Sequence, residues 1–176
     1  MNATARVFTR LALAASLAAM PPMQAVRAAV YSNGTATGTF GVTLTIQANC
    51  TIAANPLAFG TTGVLTTAIN QTTTLSVTCS NATPYNVGLD GGSVLGSTVT
   101  NRVLAGSLLL NLAVVNYQLY QDAGHTTIWG NTQGTNTLGG TGSGSTQTLT
   151  VYGQVPAQTT PQNDTYQSTI TASVFF

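Results

Sequence analysis

The chain has 176 residues, 43% of them hydrophobic, yet only four arginines and three aspartates carry charge, and lysine and glutamate are absent. With no cluster of cations to follow a phosphate backbone, nucleic acid is excluded as a partner. Disorder is excluded as well. Disordered chains combine low hydrophobicity with high net charge, whereas here Thr, Ser, Asn, Gln and Gly supply the polar half.

Arg6 and Arg10 precede the apolar run Leu11 to Met20, which ends at Pro21 and Pro22. A short positive segment, an apolar segment and a small-residue exit make a secretory signal peptide. The run is too short to span a bilayer as a helix, which takes about 20 residues, so no membrane insertion is expected. Val26-Arg27-Ala28 places cleavage after Ala28. Residues 1–28 are then the signal peptide and residues 29–176 a single mature domain by length. Only Arg102, Asp90, Asp122 and Asp164 stay charged in it, for a net charge of −2.

Along the mature chain the period-2 signal of strands recurs. From Ala36 to Ala48 the even positions read Ala, Gly, Phe, Val, Leu, Ile, Ala and the odd ones are nearly all Thr. That is long for one strand, usually about 5–6 residues. It fits two strands, or one strand plus a segment that pairs elsewhere. Asn55-Pro56 and Gly60 to Gly63 punctuate a short strand around Leu57–Phe59. Gln71 to Cys79 alternates with Thr73, Leu75, Val77 and Cys79 on one face, and Pro84 opens a strand to Leu89 closed by the turn Asp90-Gly91-Gly92. Arg102 to Leu104 is a short strand. Ser107 to Tyr120 is the most apolar stretch, and its Val and Tyr content favours two strands over a buried helix. Asp122-Ala123-Gly124 turns the chain into a brief strand at Thr127 to Trp129. Residues 130–145 read as a Gly/Thr/Ser/Asn loop. Gln147 to Val155 and Thr165 to Phe176 are the closing strands, with Ile170, Ala172, Val174 and Phe176 facing one way. Many strands, regular turns and no convincing helix predict an all-β sandwich.

Cys50 and Cys79 are the only cysteines. In an exported chain a disulfide between them is the economical reading, worth roughly 2–4 kcal/mol. A zinc site would lack ligands, since the one histidine, His125, lies far away in sequence. No Gly-x-Ser-x-Gly elbow, Walker loop or His-Glu-x-x-His motif occurs. The three aspartates sit in turn sequences, where Asp caps its own backbone. The expectation is no enzyme and no cofactor. Trp129 would stack on a sugar if exposed, but a buried core tryptophan is the simpler reading. An adhesive or carbohydrate-binding monomer is the alternative to a structural role.

Phe40 to Cys50 (FGVTLTIQANC), Phe59-Gly60, Val77-Thr78-Cys79, Pro84 to Gly92 (PYNVGLDGG) and Asn101-Arg102 resemble, in order, the spore coat protein U domain family. Tyr117 to Ala123 (YQLYQDA), Trp129-Gly130, Val151 to Pro156 (VYGQVP) and the alternating terminal strand complete the set. One departure is Gln162-Asn163-Asp164-Thr165 before Tyr166, where the family usually carries Gly. The family comprises subunits of archaic chaperone–usher pili and of spore coats.

The resemblance implies an incomplete immunoglobulin-like sandwich that lacks its last strand and is completed by donor-strand complementation. It implies a periplasmic chaperone, an outer-membrane usher and neighbouring copies in a head-to-tail polymer as partners. The product is exported through the periplasm to the cell surface as a fimbria or coat, with a role in adhesion or biofilm formation. In that scheme residues 29–39 are the N-terminal extension, with Val30, Ala36 and Phe40 pointing into a neighbour's groove, and residues 40–176 form the domain. Ile170, Ala172, Val174 and Phe176 become the edge that pairs with the chaperone.

Overall fold

A computed structural model of the chain describes residues 34–176. The signal peptide and Val30 lie outside the described residues. Among the described residues nine strands follow one another: β1 (Cys50–Ala54), β2 (Ile69–Cys79), β3 (Pro84–Leu89), β4 (Arg102–Gly106), β5 (Val114–Tyr120), β6 (Leu138–Thr141), β7 (Thr146–Val155), β8 (Tyr166–Gln167) and β9 (Ala172–Phe175). They form a six-stranded sheet in the order β1-β2-β7-β5-β4-β8 and a three-stranded sheet in the order β6-β3-β9. Every ladder is antiparallel. The described residues contain no helix long and apolar enough to cross a membrane.

The alternation in the sequence decides which face of each strand is buried, because successive side chains point to opposite sides. Leu75, Val77 and Cys79 on β2, Val151 and Val155 on β7, and Val115, Tyr117 and Leu119 on β5 turn inward. They meet Tyr85, Val87 and Leu89 from β3 in one core that also holds Trp129. Each such side chain stabilises the fold by about 1.5–3 kcal/mol. Thr72, Thr74 and Thr78 of β2 and Thr146, Thr148 and Thr150 of β7 alternate with these to the other face, where β-branched residues suit a pleated surface.

The expected elements change in several places, and the brief strand expected at Thr127 to Trp129 is reduced to an isolated bridge between Ile128 and Tyr120. No strand forms at Leu57–Phe59. Both side chains instead lie over Gly153 of β7, where a Cβ would collide with Leu57 and crowd Phe59, and Gly60 turns the chain away at φ +83°. The two strands expected within Ser107–Tyr120 reduce to β5, because Leu110 takes a left-handed backbone (φ +75°) that breaks any extended run. The loop expected over residues 130–145 contains β6. Gly140 there lets β6 lie against the Tyr85 ring, which a Cβ would meet, so glycine marks close approach and not flexibility. The closing strand is divided between the two sheets. β8 pairs with β4 and β9 with β3. The crossing residues are tied to the turn at Asp90, since Ser93 N donates to Thr169 O and Asp90 N to Thr171 O.

Candidate functional site

β1 ends the large sheet and β9 ends the small one. The two approach within 8 Å between Cα atoms yet neither pairs with the other. They also run in opposite directions. β1 starts at Cys50, opposite Cys79, while β9 finishes opposite Asn86, near the start of β3 on the same side of the fold. Cys50 and Ile52 on β1 and Ala172 and Val174 on β9, with Ile170 just before it, are half-buried and pack on the core. The result is an apolar seam bounded by two strand edges whose outer backbone groups have no ladder partner among the described residues. Such an edge is a template for another strand.

Residues 34–49 precede this seam in the chain and form no ladder. Phe40, Val42, Leu44 and Ile46 stand at alternate positions of the sequence and are between 79% and 87% exposed. The C-terminal end of the segment is fastened. Asn49 N donates to Ser80 Oγ (3.1 Å), Ser80 N to Asn49 O (2.9 Å) and Ser80 Oγ to Gln47 O (3.3 Å). Among the described residues, the long alternating run at Ala36–Ala48 joins no ladder. Ala36 and Phe40 are both exposed, but the exposed apolar positions continue through Val42, Leu44 and Ile46, beyond the expected limit at Thr39. The sequence signal for this was the length of the run, too great for one strand.

The disulfide Cys50–Cys79 is formed, with Cα atoms 4.1 Å apart. It joins β1 to β2 at the first pair of their ladder. Ile170, Ala172 and Val174 sit at the seam, whereas Phe176 is 58% exposed at the chain end.

Trp129 is fully buried and its Nε1 donates to Val87 O (2.8 Å), so it is a core residue and offers no face to a sugar. Beside it lies a feature the sequence did not reveal. The guanidinium of Arg102 is fully buried. It donates to Leu89 O (3.0 Å), Asp90 O (2.7 Å from Nη2), Val99 O (3.1 Å), Trp129 O (2.7 Å) and Gln118 Oε1. Desolvation lowers its pKa from the ordinary arginine value, and burial raises that of Tyr117 nearby. Arg102 binds β4 to the β3 turn and to the Trp129 segment, so its role is architectural.

The aspartates serve as turn acceptors. Asp122 takes hydrogen bonds from Thr127 N, Thr126 N and Thr126 Oγ1, and these, led by Thr127 N, lower its pKa. His125 stacks edge-on against Tyr120 at φ +54°. Among the described residues no group of His, Cys, Asp or Glu side chains is arranged to hold a metal.

The family model described as Spore Coat Protein U domain matches residues 36–173. A similar solved structure is the crystal structure of the CsuC–CsuE chaperone–tip adhesion subunit pre-assembly complex from archaic chaperone–usher Csu pili of Acinetobacter baumannii. The likeness has a TM-score of 0.54 at 22% sequence identity, and it covers 75% of this chain but 40% of the other. No curated protein matches the chain.

Proposed function

The chain belongs to the Spore Coat Protein U domain family, and on that footing we propose that it is a structural subunit of an exported surface polymer, assembled by insertion of one copy's N-terminal segment into the next copy's seam. The family is structural, and the chain is not an enzyme. The proposal is supported by two features found in the same chain. An unpaired segment exposes Phe40, Val42, Leu44 and Ile46, and an apolar seam lies between the unpaired edges of β1 and β9.

Strand addition takes affinity from main-chain hydrogen bonds and register from alternate side chains. Those four side chains, at two-residue spacing, give about 1.5–3 kcal/mol each on burial. The donor face is therefore Phe40 to Ile46, with Ala36 continuing it toward the N-terminus. Because donor and acceptor are different surfaces, the contact is head-to-tail and does not close on itself, which produces a filament.

A strand bonded to both β1 and β9 needs two inter-strand spacings between them, about 9.6 Å. The edges now stand within 8 Å and must part to admit it. A periplasmic chaperone that lends its own strand along β9, at Ala172 and Val174, would hold the seam apart until an outer-membrane usher presents the next subunit. Displayed on the cell surface as a fimbria or coat, the polymer would serve adhesion or biofilm formation.

Deletion of residues 36–47 in the full chain tests this in the producing cell. The prediction is a folded, disulfide-bonded subunit that accumulates without forming filaments visible by electron microscopy. Undiminished filament yield would refute the assignment.

A further inference from the structure

Many polar side chains of this protein are spent on the fold itself. Asp164 takes Ser107 Oγ (2.8 Å), Leu108 N (2.9 Å) and Asn111 Nδ2 (2.6 Å), and so holds the β4–β5 loop on which Leu109, Leu110 and Leu112 stand exposed. Gln158 takes Asn116 N (2.9 Å) and donates to Asn116 O (2.9 Å). Asn136 Oδ1 takes Thr132 N (2.8 Å). One cleft departs from this pattern. It has a volume of about 390 Å³ and is lined by Asn70, Gln71 and Thr72 of β2, Tyr152 of β7, and Ala123 and His125 of the turn after β5.

The ladders explain why these residues meet. β7 lies between β2 and β5, with Tyr152 opposite Thr72 on one side and opposite Tyr120 on the other. Opposed residues share a face, and in β7 it is the face away from buried Val151, since successive side chains alternate. The turn after β5 brings His125 to the same face, where its ring stands edge-on to Tyr120 at 5.1 Å. That turn is fixed. Asp122 O takes His125 N (3.1 Å), and the Asp122 carboxylate takes Thr126 N, Thr126 Oγ1 and Thr127 N. On the β2 side, Gln154 Nε2 donates to Asn70 Oδ1 (2.9 Å) and orients that amide. The Asn70 Nδ2 group and the side chains of Gln71, Thr72, His125 and Tyr152 make no hydrogen bond among the described residues.

The cleft therefore gathers amide, hydroxyl and imidazole groups, donors and acceptors both, around one tyrosine. The one charged residue of its turn, Asp122, has its carboxylate already taken. An ion gains little from such a lining, and an apolar ligand needs apolar walls. A hydroxyl-rich neutral ligand suits it. Vicinal hydroxyls pair with amides that donate and accept, and the C–H face of a sugar ring, slightly positive, is attracted to the negative face of an aromatic ring. At Tyr152 the backbone is paired on both sides, so the floor recognises through side chains and offers no free edge to a peptide strand. We propose that this cleft binds a neutral saccharide, with Tyr152 as the stacking ring and Asn70, Gln71 and His125 as partners of its hydroxyls. The proposal stands apart from strand insertion, since neither β1 nor β9 lines the cleft.

Saturation-transfer NMR on the full oxidised chain tests this, because it observes the ligand and tolerates any state of assembly. The probes are lactose, maltose, methyl α-mannoside and diacetylchitobiose, with glucuronate, p-cresol and triserine standing for anionic, apolar and peptide ligands. At least one neutral saccharide should receive saturation from the wild-type chain. Tyr152→Ala should weaken its binding about tenfold, the upper end of what an aromatic contact contributes. Thr72→Arg, at an exposed position directly across the ladder from Tyr152, should fill the cleft and abolish the transfer. Thr148→Arg, at an exposed position farther along β7, should leave it unchanged. An intact Cys50–Cys79 bond and the fluorescence of buried Trp129 show that each variant is folded. Absence of transfer to all four saccharides, transfer that survives Thr72→Arg, or preference for glucuronate, p-cresol or triserine would overturn the proposal.

Discussion

Cys50 and Cys79 are direct partners at the first pair of the β1–β2 ladder, with Cα atoms 4.1 Å apart. The bond therefore fixes the point where the free N-terminal segment joins the sandwich. It also holds β1, an edge strand of five residues paired on one side only, against β2.

Replacing both cysteines by serine is expected to lower stability by about 3 kcal/mol, from a closed loop of 29 residues in the denatured chain. Urea unfolding of the oxidised and double-serine proteins measures it. Amide exchange should rise first at Thr51 to Ala54, because β1 loses its only covalent restraint.

Arg102→Met should cost about 3 kcal/mol or more. The change takes a donor from the carbonyls of Leu89, Asp90 and Trp129, whereas Val99 O keeps Gln118 Nε2, and each orphaned acceptor costs about 1–3 kcal/mol before relaxation. Arg102→Lys should recover only part of this, since one ammonium cannot reproduce the planar fork. Denaturant midpoints of the two variants decide the matter.

Acid should loosen the leucine-bearing loop before it unfolds the core. Partial burial alone would raise the Asp164 pKa, but donation by Leu108 N, Asn111 Nδ2, Ser107 Oγ and Thr165 N outweighs it and brings the value to about 2. With the folded value below the ordinary 3.8, the stabilisation is complete above pH 4 and is lost as pH falls toward 2. Exchange protection of the Leu108 amide should follow that course, and Asp164→Asn should abolish the pH dependence. Unchanged protection at pH 2 would count against the loop's dependence on this carboxylate.

Much of the fold was legible from alternation. β2, β3 and β7 are where alternation and the turn residues put them, because each buries one face against the same core. The failures have physical causes. Leu57 and Phe59 look like strand residues, yet they cap a glycine on the sheet face. Gly139 and Gly140 look like a flexible loop, yet they are a strand fitted against Tyr85. The leucines at 108–112 look like core, and only Asp164, more than fifty residues on, holds them outside it. The seam was the least legible feature, since the pattern of Phe40 to Ile46 is the pattern of an internal strand. Nothing in the pattern itself says that the segment joins no ladder among the described residues.

The most direct measurement of the proposed strand insertion uses Leu44→Asp with Ile46→Asp in the full chain, a change confined to exposed, unpaired positions. This protein should stay monomeric and still bind one equivalent of a wild-type peptide spanning residues 36–49, with new amide protection along Ala172 to Phe175. Polymerisation as in the wild type, or a β9 edge that exchanges equally fast with and without the peptide, would contradict the account.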